Sequence, residues 1–215
     1  MSTLAAWRDR LSYQPLSLGI VALSTCAILV IANQMTRPKV IEAEQRDLQA
    51  TLTEVLPAGF ADNDLLKDKV SLTDPGGLPV TIYRARKAGT MQGAVFQTSA
   101  RGYGGEILVL IGIDIEGKLL GARVIKHHET PGLGDKIEAS KSKWIHDFDG
   151  KSLESPPAEK WAVKKDGGVF DQFAGATITP RAVVKAVKQG MTFFAVHRTE
   201  ILAPNASEAT QGKAP

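Results

Sequence analysis

The chain has 215 residues, enough for one domain and an appendage, and its 26 basic and 23 acidic side chains leave a formal net charge of +3. The basic residues are scattered among acids without aromatic interleaving, which argues against a nucleic-acid face and nucleic-acid partners. The single cysteine, Cys26, lies inside an apolar run, so disulfides within the chain and cysteine-ligated zinc or iron–sulfur centres are excluded. A remainder free of thiols suits an oxidising compartment.

Residues 16–32 carry no charge, and Asn33 to Met35 extend the run. Twenty helical residues rise about 30 Å, the thickness of a bilayer core. The run has no polar face, unlike a helix on a soluble core, and neither the short apolar stretch nor the small-residue cleavage site of a signal peptide. Residues 16–35 are therefore expected to be a transmembrane anchor, with residues 1–15 a short cytoplasmic tail. Arg8 and Arg10 precede the span, and Arg37, Lys39 and Arg46 follow it, so the charges do not decide its orientation. A short tail ahead of a large following domain suits translocation of everything from about residue 36 onward.

Residues 36–56 form the connection, an amphipathic helix from about residue 38 with Ile41, Leu48, Leu52 and Val55 on one stripe and Pro57 at its end. Residues 57–79 read as a polar loop with a short helix over 63–69. Alternating or strongly apolar patterns then predict strands over 80–86, 94–98, 107–114 and 118–128, joined by glycine-bearing turns. A rigid turn follows at 129–134, then a short helix over 135–143, an irregular stretch over 150–160 and an edge strand over 161–165. The last helix is expected over 180–201, with Thr179 as N-cap and Pro180 at the first helical position. Val183, Val184, Val187, Met191 and Phe194 would face the core, and the polar residues 203–215 are expected to be disordered. The fold class is α+β: an antiparallel sheet of three or four strands packed with helices, preceded by one N-terminal transmembrane helix. Residues 57–202 make up its globular domain.

Neighbouring residues on a strand point to opposite faces, so His127 and His128 do not readily share an ion, and no helical H-E-x-x-H is present. There is likewise no G-x-S-x-G elbow, P-loop or G-x-G-x-x-G fingerprint. Three segments stay open. Arg101 to Gly105 could line a ligand with glycines beside Tyr103, or only shape a hairpin. Leu133, held between Gly132 and Gly134, is either an apolar finger or a core plug. The Thr177 hydroxyl follows Gly175 and Ala176 just ahead of a helix start, near Arg181. That is a plausible phosphate site, or an ordinary loop-to-helix junction.

Taken in order, Arg101-Gly102-Tyr103-Gly104-Gly105-Glu106-Ile107, His128-Glu129-Thr130-Pro131-Gly132-Leu133-Gly134 and Gly175-Ala176-Thr177 resemble the FMN-binding domain of bacterial respiratory flavoproteins. The resemblance is greatest to the G subunits of Rnf ion-translocating electron-transport complexes and covers almost the whole chain. It implies that a flavin transferase takes FMN from FAD and joins it to the Thr177 hydroxyl as a phosphoester. It implies also that Glu129, Thr130 and Leu133 line the isoalloxazine and ribityl parts. Asp171 and Gly175, Ala176 and Thr177 would form the sequence the transferase reads. Ala174 departs from the Ser or Thr of many relatives.

By the same resemblance the chain is a single-pass protein of the bacterial inner membrane, with its FMN domain on the periplasmic side. It would relay electrons among other membrane and iron–sulfur subunits, between ferredoxin and NAD, coupled to cation movement. Three alternatives stand beside it: the C-type flavin subunit of the sodium-pumping NADH:quinone reductase, a flavin-free membrane-tethered adaptor, and a reductase using a loosely held flavin.

Overall fold

The computed structural model describes residues 13–74 and 76–203 of the chain, with side chains from residue 15. The expected tails lie outside the described residues over 1–12 and 204–215. The chain divides into two compact units, one up to Leu48 and the other from Gln49.

A single helix, α1 (Tyr13–Thr53), covers both the expected anchor and the expected connecting helix. It is long and apolar enough to cross a membrane, with a window of mean hydropathy 2.3. The Ser24 and Thr25 hydroxyls donate to the carbonyls of Ile20 and Val21, each at 2.8 Å, so neither brings an unsatisfied polar group to the apolar surface. Pro38 lies inside the helix and has no N–H to donate to the carbonyl four residues earlier. Of the predicted stripe, Ile41 is exposed, whereas Leu52 and Val55 are buried in the second unit.

That unit is built on five antiparallel strands in sequential order: β1 (Lys69–Thr73), β2 (Pro79–Lys87), β3 (Thr90–Arg101), β4 (Glu106–Asp114) and β5 (Leu119–Lys126). The strand β1 replaces part of the expected loop, and the expected helix over 63–69 is a turn. Asp64 makes that turn, accepting from the Leu66 N–H on its carboxylate and from the Lys67 N–H on its carbonyl, both at 3.1 Å.

Helix α2 (Ile178–Leu202) covers one face of the sheet. Ile82, Phe96, Val109, Ile111 and Ala122 of the strands join Val183, Val187, Met191 and Phe194 of α2 in one apolar core. Gly190 sets how closely the helix approaches, because a Cβ there would come 2.5 Å from Ile111 Cδ1. On β4 and β5, Gly112 stands opposite Gly121. A Cβ at Gly112 would come 2.6 Å from the Val55 carbonyl oxygen, so this pair of glycines seats the chain just after α1.

Between β5 and α2 the chain forms only short 3₁₀ turns. The expected helix over 135–143 shrinks to Asp135–Ile137, and a second turn follows at Trp144–Phe148. The expected edge strand over 161–165 is reduced to an isolated parallel bridge between Val163 and Phe170. Aromatic burial organises this stretch instead. Phe148 stacks on Phe170 at 4.4 Å and on Trp161 at 6.2 Å, and Trp144 meets both Phe148 and Phe173 edge-on.

Candidate functional site

Glu129 lies at the centre of the three glycine-bearing segments. It lies three residues past the end of β5 and is only 5% exposed. Its Oε1 accepts from the Gly104 N–H at 2.9 Å, and its Oε2 accepts from the Thr179 hydroxyl. A buried carboxylate is costly unless hydrogen-bonded, and these two donors come from the 102–105 turn and the first turn of α2.

Glycines close in on this bridge because nothing larger fits. A Cβ at Gly134 would come 2.9 Å from Glu129 Cβ and 3.0 Å from Thr179 Oγ1. A Cβ at Gly102 would strike Glu129 Oε1, and one at Gly104 would strike the His128 carbonyl oxygen.

The 129–134 turn is closed by the N–H groups of Leu133 and Gly134, both donating to the Thr130 carbonyl at 3.1 and 3.0 Å. Thr130 is exposed. Leu133 is 45% exposed, so it stands out from the surface and does not plug the core. Its Cδ2 lies 3.3 Å from the place a Gly175 Cβ would take, and Gly175 has φ +82. The 129–134 turn and the 171–177 loop therefore meet at Leu133 and Gly175.

The start of α2 differs from the expectation. Thr177, not Thr179, is the N-cap residue, at φ −78 and ψ −27. Thr179 is already helical and 1% exposed, because its hydroxyl finds a charged acceptor in Glu129. Pro180 becomes the third helical residue, where its missing N–H would still have no acceptor within the helix. The Thr177 side chain makes no capping bond, and among the described residues its half-buried hydroxyl has no hydrogen-bond partner. Ala176 beside it is half-buried, and its N–H donates to the Phe173 carbonyl at 3.2 Å.

Arg181 is directed elsewhere. Its Nε and Nη2 donate to the two carboxylate oxygens of Asp166, each at 2.6 Å. This bidentate bond holds the Asp166 carboxyl below its usual range and raises the Arg181 guanidinium. Asp171 is exposed and pairs with Lys164 Nζ at 2.7 Å, while its carbonyl accepts from Trp144 Nε1 at 2.9 Å.

Trp144, and the bond by which Thr179 reaches Glu129 instead of capping the helix, are what sequence reasoning missed here. The partners of these two residues, Asp171 and Glu129, are 27 and 50 residues away, so no local spacing signals them. His127, set aside as a metal ligand, is half-buried and hydrogen-bonded to Glu138, whereas His128 is exposed. No cluster of His, Cys, Asp or Glu disposed to hold a metal occurs among the described residues.

Two hollows of about 570 and 600 Å³ lie apart from Thr177. The first is bounded by Leu78, Phe96, Phe193 and Val196, and the second by Glu54, Arg123, Lys126 and Glu138.

The family described as FMN-binding domain matches residues 102–192, a span that holds every residue of this site. The G subunit of the ion-translocating oxidoreductase complex of Stutzerimonas stutzeri is 50% identical over 193 residues, covering 90% of this chain and 85% of that protein. The protein of the same name from Cereibacter sphaeroides (strain ATCC 17029 / ATH 2.4.9) is 45% identical over 198 residues, covering 92% of this chain and 90% of its own length. Among solved structures, that of Shewanella oneidensis NqrC aligns with 66% of this chain and 76% of its own. Its TM-score is 0.46 and its identity 21%, too remote to bear on function.

Proposed function

The chain belongs to the family of G subunits of ion-translocating oxidoreductase complexes, and on that footing we propose that it is a membrane-anchored flavoprotein subunit carrying FMN covalently on Thr177. Residues 16–35 are the anchor in the bacterial inner membrane, and residues 57–202 are the FMN domain on the periplasmic side. The subunit relays electrons within a complex whose other membrane and iron–sulfur subunits handle the ferredoxin and NAD ends.

The observation that carries this reading is the Thr177 hydroxyl. It is half-buried and unpartnered among the described residues, and it stands at the N-cap of a 25-residue helix. The free N–H groups at that helix end favour a phosphate, but only by about 0.3–1 kcal/mol at an exposed terminus. The covalent bond therefore supplies permanence.

Attachment would join the Thr177 oxygen to the FMN phosphorus of FAD with release of AMP, and the hydroxyl proton would go to solvent or to the flavin transferase. Asp171, Gly175 and Ala176 present the loop to that transferase. Leu133 supplies an apolar contact for a flat ring, Thr130 a hydroxyl beside it, and Glu129 holds the surrounding turns together. Bound FMN supplies one- and two-electron redox chemistry that no side chain here offers.

The test is denaturing-gel fluorescence with intact mass, on wild type and Thr177→Ala, each made beside an active flavin transferase. A fluorescent wild-type band heavier by one FMN phosphoester, absent from the variant, is expected. A dark wild-type band of unmodified mass would sink the reading and favour the flavin-free adaptor.

A further inference from the structure

His127 makes two hydrogen bonds that together define its protonation. The backbone N–H of Glu129 donates to its Nδ1 at 3.1 Å, and its Nε2 lies 2.9 Å from Glu138 Oε1. A backbone N–H can only donate, so Nδ1 must present its lone pair. The neutral ring therefore carries its proton on Nε2 and donates it to Glu138, whose carboxyl this hydrogen bond holds below the usual range.

A second proton has one place to go, Nδ1, and there it would face the Glu129 N–H donor to donor. The ring would keep Glu138 and lose Glu129. That loss falls on the residue whose carboxylate joins the Gly104 turn to Thr179.

We propose that His127 is a positioning residue: its neutral Nε2–H form holds the Glu129 backbone in place for the carboxylate bridge, and its protonation loosens the flavin-bearing face. The inference rests on the reading above for the flavin alone; the coupling of His127 to Glu129 stands apart from it. The charged groups around the hollow that His127 lines act in opposite directions. Glu138 and Glu54 favour the protonated ring, whereas Arg123 and Lys126, lining the same hollow, and Lys141 beside Glu138 oppose it. The Glu129 N–H opposes it directly. Histidine is the side chain type that ordinarily changes charge between about pH 5 and 8, and that is the range over which the coupling is to be tested.

The test begins on the full-length chain without flavin, in detergent micelles, by nitrogen-15 spectra of the histidine rings and the Glu129 amide as pH is lowered. Nδ1 should be unprotonated in the neutral ring, and the Glu129 amide should shift with the same midpoint as His127. His127→Gln, which can still accept from Glu129 and donate to Glu138, should abolish that shift. Glu138→Gln should move the midpoint to lower pH. A proton on Nδ1 of the neutral ring, a Glu129 amide indifferent to the ring's titration, or a ring that stays neutral down to about pH 5 would each overturn the proposal.

On flavin-loaded wild type, flavin fluorescence should follow the same midpoint and lose that dependence in His127→Gln. Fluorescence that ignores the titration while the amide follows it would overturn the coupling to the site. A chain that acquires no flavin would instead sink the proposed function and leave the histidine titration to be judged on the flavin-free protein.

Discussion

The hydroxyl of Thr179 donates to the carboxylate of Glu129 from 50 residues away, and both side chains are buried. This bond ties the first turn of α2 to the turn after β5, and the second oxygen of Glu129 ties in the Gly104 turn. Removing the hydroxyl would leave a buried carboxylate oxygen without its donor. Thr179→Ala is expected to destabilise the fold by about 1.5–3 kcal/mol, the usual worth of a hydrogen bond to a charged group. Thr179→Ser should recover most of the loss. Denaturant unfolding of the three proteins in detergent, followed by tryptophan fluorescence, would check this; equal midpoints for Ala and wild type would refute it.

The glycines around Glu129 differ in what they answer to. A Cβ at Gly104 would strike the His128 carbonyl oxygen, whereas one at Gly132 meets open space and only a strained φ of +79. Gly132→Ala should therefore cost about 1–2 kcal/mol, the penalty of a left-handed non-glycine residue. Gly104→Ala must move backbone in two turns and should cost more than Gly132→Ala in the same unfolding assay. The reverse order would mean that the close approach of the 102–105 and 128–134 turns is dispensable.

The strands β2 to β5 were legible because period-two alternation and the apolar run at β4 are local properties of the chain. The strand β1 was not, since five residues between Asp68 and Asp74 alternate too briefly to outweigh the polar loop around them. The stretch from Asp135 to Phe173 misled for another reason. Its conformation is dictated by the mutual burial of Trp144, Phe148, Trp161 and Phe170, a tertiary effect that overrides local propensity. At the site, Thr177, Gly175 and Leu133 could be singled out from turn chemistry. The role of Thr179 could not: Ser, Thr, Asp and Asn cap helices by local bonds, and here a remote carboxylate claims the hydroxyl that the local rule would assign to capping.

The pair of Asp166 and Arg181 predicts a specific pH response. The folded Asp166 carboxyl titrates below its ordinary 3.8, first because of the hydrogen bonds from Arg181. A carboxyl depressed on folding contributes stability above its unfolded pKa and loses it as pH falls through the folded value. Asp166→Asn should thus be less stable than wild type at neutral pH, and the two should converge only as pH falls below 3.8 and through the depressed folded value. Both side chains lie at the surface, so the difference is small and should shrink further in high salt. Thermal unfolding across pH and ionic strength would show it. A difference that persisted at low pH would mean that the substitution harms the fold by some route other than charge.

Trp144 offers a way to separate loop order from fold. Its indole N–H donates to the Asp171 carbonyl, and its ring packs edge-on against Phe173 at 5.1 Å, so it holds the start of the 171–177 loop from two directions. Trp144→Phe keeps an aromatic ring in the cluster but removes the donor together with part of the buried indole volume. A neutral hydrogen bond is worth about 0.5–1.5 kcal/mol net. If the flavin transferase acts on the ordered loop, losing that bond should slow FMN attachment by roughly 2- to 12-fold, while the unfolding midpoint also falls because the shortened ring leaves a cavity. The rate of appearance of the heavier mass species, measured at several transferase concentrations, gives the comparison. Attachment at the wild-type rate would show that the transferase reads an extended, disordered segment. The anchoring of Asp171 by Trp144 would then serve the folded domain and not its modification.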